Sequence, residues 1–142
     1  MGTRAVQCRN MADGRELIMA TVLLVEDDPD LQSAYALSLT QSGFEVVTAC
    51  DGKELIEIVS TNKIDILVSD TNLLTLDGDI ACKRLLDQGY LSDVLILGMS
   101  DDRDCEAHWQ DMGIEFLYKG GMTDLCPLGP SVTMRWERFK PA

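Results

Sequence analysis

Val22-Leu23-Leu24-Val25-Glu26-Asp27-Asp28-Pro29 decides the fold. A short run of apolar residues, cut off by three acids and a proline, reads as a buried strand that leaves its sheet and enters a helix. A second apolar run, Ile64 to Ser69, also ends on a carboxylate, Asp70. Two strands that finish in acids bring those acids to one edge of a sheet. Like charges so gathered are costly unless a cation sits among them, so the pattern points to a divalent metal site.

Working outward, short apolar runs alternate with longer helical stretches. The predicted strands are Thr21–Val25, Phe44–Ala49, Ile64–Ser69, Val94–Leu97 and Glu115–Tyr118. Three are continuous apolar runs, as strands covered on both faces require. Asp28-Pro29 predicts an N-cap and a first-turn proline for a helix to about Ser42, closed by Gly43. Further helices are predicted from Asp51-Gly52 to Ser60, from Asp79 to Gln88, and from Asp101 to Met112. This alternation implies an α/β fold, a doubly wound five-stranded parallel sheet with helices on both faces. Ligands of such sheets sit beyond the carboxyl ends of the strands. Glu26, Asp27, Asp70, Gly98 and Lys119 each follow a predicted strand and converge there.

The chain ends are less regular. Residues 1–18 lack a clear period and are expected to be an unfolded extension, leaving residues 19–142 as the domain. Pro127, Gly129 and Pro130 interrupt the segment after about residue 124, so the fifth helix is expected to be short, near Ser131–Phe139.

The chain has 142 residues, 46% of them apolar, enough for one core and too few for two. Its net charge of −12 repels phosphate backbones and argues against direct binding to nucleic acid. Five scattered cysteines, Cys8, Cys50, Cys82, Cys105 and Cys126, have no metal-ligand spacing and read as reduced thiols of a cytoplasmic protein. No apolar stretch approaches the ~20 residues that span a bilayer. The single histidine, His108, falls on the fourth predicted helix, away from the acidic edge.

The order Leu-Leu-Val-Glu-Asp-Asp-Pro (23–29), Asp-Ile-Leu-Val-Ser-Asp (65–70), Asp77-Gly78 and Phe-Leu-Tyr-Lys (116–119) resembles the receiver domain of two-component response regulators, over roughly Thr21 to Thr123. The resemblance implies a flavodoxin-like receiver fold and phosphoryl transfer from a phosphohistidine to Asp70. It implies Mg²⁺ held by Glu26, Asp27, Asp70 and the Asn72 main-chain carbonyl, with Lys119 contacting the phosphoryl group. The implied partners are a histidine kinase or phosphotransfer protein, and a downstream protein at the face of the fourth helix and fifth strand. It implies a signalling phosphoacceptor, not an enzyme with an outside substrate.

Three positions depart from the family pattern, one of them Leu74, which stands where a proline often follows the acceptor. Gly98 stands where the family has threonine or serine, which leaves the Met99 N–H as phosphoryl donor, with Ser100 as a substitute hydroxyl. Gly120 stands at the usual proline. With no hydroxyl at Gly98, the rotamer switch expected of Phe116 loses its partner. The alternative is therefore a degenerate receiver that binds a partner without phosphorylation. A nucleotide-binding fold would want a glycine-rich loop in place of Glu26-Asp27-Asp28. A haloacid-type phosphatase would want an aspartate at Asn72.

Overall fold

The computed structural model describes residues 7–9, 17–122 and 127–140. In chain order the elements are β1 (Gln7–Arg9), β2 (Leu17–Met19), β3 (Thr21–Val25), α1 (Pro29–Gln41), β4 (Glu45–Ala49), α2 (Gly52–Thr61) and β5 (Ile66–Asp70). They continue with α3 (Gly78–Asp87), β6 (Leu95–Ser100), a 3₁₀ turn (Arg103–Cys105), α4 (Glu106–Asp111), β7 (Glu115–Tyr118), a 3₁₀ turn (Lys119–Gly121) and α5 (Leu128–Phe139). Five strands form one parallel sheet in the order β4-β3-β5-β6-β7. The chain steps outward from β3 to β4, then crosses back to β5, so the direction of winding reverses beside the end of β3. That reversal opens the crevice in which ligands of doubly wound sheets bind.

Strand periodicity divides the core in two. Leu23, Val25 and Leu67 face Leu55 and Val59 of α2, Ala81 and Leu85 of α3, and Trp109 of α4. Val22, Leu24, Ile66, Val68, Leu97 and Met99 face Leu39 of α1 and Leu128 and Val132 of α5. Both faces of the central strands are covered, which is why their sequences are apolar without alternation. The outer strand β4 shows exposed Glu45 and Thr48.

Helix ends follow local chemistry. Asp28 caps α1, its Oδ1 accepting from the N–H of Asp30 at 2.9 Å and of Leu31 at 3.2 Å, and Pro29 supplies the preset first turn. Helices α1, α3 and α4 all end on a glycine at positive φ: Gly43 at 98°, Gly89 at 83° and Gly113 at 76°. The following N–H reaches back in each case, Phe44 to Leu39, Tyr90 to Leu85 and Ile114 to Trp109. These are three Schellman closures.

The structure departs from the sequence expectations in four places. Strand β6 runs to Ser100, so Gly98, Met99 and Ser100 are strand residues rather than a loop beyond Leu97. The fourth helix is a 3₁₀ turn followed by the shorter α4. Helix α5 begins at Leu128 and has 12 residues. Pro130 falls in its first turn, where the missing N–H had no intrahelical partner in any case. Within the leader, β1 and β2 pair antiparallel, with Cys8 opposite Ile18, where no structure was expected. The stretch from about residue 124, expected to be atypical, starts at residues outside the described set.

Candidate functional site

Glu26 follows the last residue of β3 and stays in the sheet's rhythm, its N–H donating to Ala49 O at 3.1 Å. Gln32 of α1 ties down the Glu26 carbonyl through Nε2 at 2.9 Å. The Glu26 side chain is 1% exposed, while Asp27 is half-buried. Asp70 ends β5 with 6% exposure. One carboxylate oxygen from each of Glu26, Asp27 and Asp70 lies within 4.8 Å of the others. Asp28 stands outside this group as the cap of α1, in the role its sequence position predicts.

Lys119, just past β7, joins the acids. Its Nζ lies 2.8 Å from Glu26 Oε1 and 3.0 Å from Asp70 Oδ2. Among the described residues, Glu26 Oε1 meets no hydrogen-bond donor besides that ammonium, while Oε2 accepts from the Asp28 N–H at 3.2 Å. Burial pushes the Glu26 carboxyl above its ordinary value; Lys119 opposes the shift and Asp70 adds to it. Burial likewise raises Asp70 against the pull of Lys119. Burial also pulls Lys119 down, but its bonds to Glu26 and Asp70 outweigh this and hold the ammonium above its usual value. One cation is thus shared by acids it does not fully neutralise. A cluster of carboxylate oxygens with unmet negative charge fits a hard divalent cation that prefers oxygen donors.

Asp70 is held from several sides. Its Oδ1 accepts the Thr71 N–H at 2.9 Å, and Ser69 Oγ donates to its carbonyl at 2.8 Å. Gly78 N–H donates to Thr71 O at 2.8 Å. A Cβ at residue 78 would collide with the Asp70 carbonyl and the Ser69 hydroxyl. Asp77-Gly78 therefore does more than turn the chain: its glycine lets α3 start against the floor of the site.

The β6 side differs from the sequence expectation. Met99 lies opposite Asp70 within the ladder, its side chain buried and its carbonyl accepting Thr71 N–H at 2.9 Å. Ser100 is 1% exposed, and its Oγ accepts the Asp102 N–H at 3.0 Å. Gly98 pairs with Ser69 on one side and Phe116 on the other. The Trp109 indole lies against it, leaving no space for a Cβ. Phe116 is half-buried beside the same cluster. Asn72 is exposed, its side-chain amide 3.7 Å from Cys105 Sγ. His108 is on the surface, 3.1 Å from Asp79 Oδ2.

The sequence reading missed two residues here, Thr71 and Trp109. Thr71 Oγ1 donates to Met99 O at 2.9 Å and accepts from Trp109 Nε1 at 2.7 Å. A glycine in an otherwise apolar strand was the available signal, because it marks close approach of another group.

A family model described as the response regulator receiver domain matches residues 22–123. The chain is 34% identical over 86 residues to the transcriptional regulatory protein AfsQ1 of Streptomyces coelicolor, covering 61% of this chain and 38% of that protein. It is 35% identical over 81 residues to the alkaline phosphatase synthesis transcriptional regulatory protein PhoP of Bacillus subtilis, covering 57% and 34%. It thus spans well under half the length of these relatives. A Francisella response regulator receiver domain matches with TM-score 0.73 at 25% identity, over 85% of this chain and 99% of that one. The Thermotoga maritima response regulator TrrA, solved in complex with Mg(2+)-BeF, shares the fold with TM-score 0.72 at 16% identity, over 85% and 99%. Five parallel strands in this order, acids at the ends of β3 and β5, a lysine after β7 and the matched family model agree: the chain belongs to the response regulator receiver domains of two-component signalling.

Proposed function

We propose that Asp70 accepts a phosphoryl group from a phosphohistidine, with Mg²⁺ bound by Glu26, Asp27 and Asp70 and by the Asn72 carbonyl. One observation carries this reading: Lys119 Nζ lies within 3.0 Å of Asp70 Oδ2, while Asp70 shares a 4.8 Å cluster with Glu26 and Asp27. An Asp70 carboxylate oxygen forms a bond to phosphorus as the P–N bond to the donor imidazole breaks. The electron pair leaves on the imidazole nitrogen, which takes a proton from solvent. Thr71 N–H holds Oδ1 in place, so the carboxylate is oriented before the donor arrives. Lys119 supplies positive charge where phosphoryl oxygens gather. Magnesium, when bound, neutralises charge on the acids and on the transferring group.

The chain then acts as a signalling phosphoacceptor rather than an enzyme with an outside substrate. Its donor is a histidine kinase or phosphotransfer protein, and its output is a protein bound at the face of α4 and β7. The net charge of −12 supports a protein partner over direct contact with nucleic acid. Among the described residues, no helix is long and apolar enough to cross a membrane.

Incubation with acetyl phosphate and Mg²⁺, followed by intact mass measurement, tests the assignment. One phosphoryl adduct is expected, absent without Mg²⁺ and absent in Asp70→Asn. No adduct from acetyl phosphate or from a kinase would leave the other reading, a binding module that works without phosphorylation, which the indole packed over Gly98 favours.

A further inference from the structure

Trp109 is the buried residue of α4, with no exposed surface. Its ring fills the space over Gly98 that a larger side chain would need. Its Nε1–H donates to Thr71 Oγ1 at 2.7 Å, and Thr71 Oγ1 donates onward to Met99 O at 2.9 Å. The one hydroxyl proton of Thr71 is therefore committed, and its position is set from both sides. The Thr71 N–H serves both Met99 O and Asp70 Oδ1, each at 2.9 Å. From the indole to the Asp70 carboxylate a chain of contacts runs through Thr71. At its other end, the Trp109 carbonyl accepts from the N–H groups of Met112 and Ile114, each at 3.0 Å. Those bonds form the turn into β7, which carries Phe116 and leads to Lys119.

We propose that Trp109 is a positioning residue: through Thr71 it orients the Asp70 carboxylate, and it carries a change at Asp70 to α4 and the turn into β7. A hydroxyl at residue 98 has no room in this protein, and the indole N–H supplies a polar link between the acceptor strand and α4 from the opposite direction. The proposal rests on the reading of Asp70 as phosphoacceptor. Simple packing would give α4 the same seat on Gly98 but would require no hydrogen bond to Thr71, so the two roles separate on that bond.

The test uses the full ¹⁵N-labelled chain, whose two tryptophans each give one indole N–H signal. Trp136 packs against the core on the other face of the sheet and serves as internal reference. On addition of Mg²⁺ and beryllofluoride, the Trp109 signal is expected to shift and the Trp136 signal to stay. In Thr71→Val, which keeps the side-chain shape, the Trp109 signal no longer responds. Phosphorylation of Asp70 by acetyl phosphate slows several-fold, by up to about tenfold, in Thr71→Val and Trp109→Phe. An unchanged amide spectrum elsewhere in Thr71→Val separates that slowing from unfolding.

The proposal is overturned if the Asp70 and Lys119 amides shift with beryllofluoride while the Trp109 indole does not. It is also overturned if Thr71→Val keeps the full rate and the full indole response. If neither amides nor indole respond in the unaltered protein, the phosphoacceptor reading itself fails, and this inference falls with it.

Discussion

The two sides of the carboxyl edge are built on different principles. On the β3–β5 side, charge governs: Glu26, Asp27 and Asp70 crowd within 4.8 Å, and Lys119 reaches in to hold two of them. On the β6–α4 side, volume governs: an indole occupies the place a side chain at residue 98 would take, and polar groups serve mainly to fix it. The first side is expected to respond most to changes of charge, although Gly78 at its floor leaves no room for a larger residue. The second is expected to respond most to changes of volume, because the Trp109 ring fills the space over Gly98. In the proposed reading, chemistry and its transmission fall on separate halves of one crevice.

Asp70→Asn draws this contrast most sharply. It removes the proposed nucleophile almost without changing volume, so the phosphoryl adduct should vanish entirely by mass spectrometry while the amide spectrum of α4 changes little. An adduct persisting in Asp70→Asn would place the acceptor elsewhere.

Next in size are changes on the packed side. Trp109→Ala opens a large cavity and is expected to cost about 3–5 kcal/mol in denaturant unfolding. Gly98→Thr drives a side chain into the indole and should cost at least 1–3 kcal/mol or so. The double variant should be more stable than the sum of the two losses implies, because the new side chain enters the space the indole left. Strict additivity would break the claim that residues 98 and 109 share one volume.

A smaller effect concerns pH. Burial raises both Glu26 and Asp70, so the folded protein binds protons at these groups more tightly than the unfolded chain does. Their contribution to stability is fully present below the ordinary carboxylate values and is lost as pH rises through the raised ones. Melting temperature without Mg²⁺ should fall across that window, and Mg²⁺ or Asp70→Asn should flatten the fall. The same slope in all three samples would remove the burial argument.

The smallest effect is expected at Asp28→Ala, which strips the cap of α1 and should cost about 1 kcal/mol while leaving Mg²⁺ affinity within about twofold. A large loss of metal affinity would make Asp28 a ligand rather than a cap.

Legibility in the sequence divides along the same line. The sheet, its winding and the convergence of Glu26, Asp70 and Lys119 could be read ahead, because charge at the end of an apolar run is locally anomalous. Asp28-Pro29 and Gly43 announced the ends of α1 for similarly local reasons. The end of β6 was hidden, since Gly98-Met99-Ser100 looks like a loop until the ring of Trp109 is brought over the glycine. That pairing spans a turn and depends on the two volumes fitting together, which no single window reveals. Pro130 misled in another way: the same residue breaks a helix interior and suits a first turn, and only the true start at Leu128 decides between them. Thr71 carried no mark of its role, because its hydroxyl matters only through two partners distant in sequence.

The reach of Lys119 has a mechanical consequence. The residue stands at the end of an outer strand, and its arm crosses β6 to grip acids carried by β5 and β3. Backbone pairing joins only adjacent strands, yet this ammonium ties the outer strand β7 to acids at the ends of β5 and β3, neither of which it pairs with. It is a crossbar over the mouth of the crevice. Drawing the ammonium away from Glu26 is therefore expected to loosen the outer strand from the sheet's centre, so that a shift of one charge at the middle of the protein becomes slack at its rim.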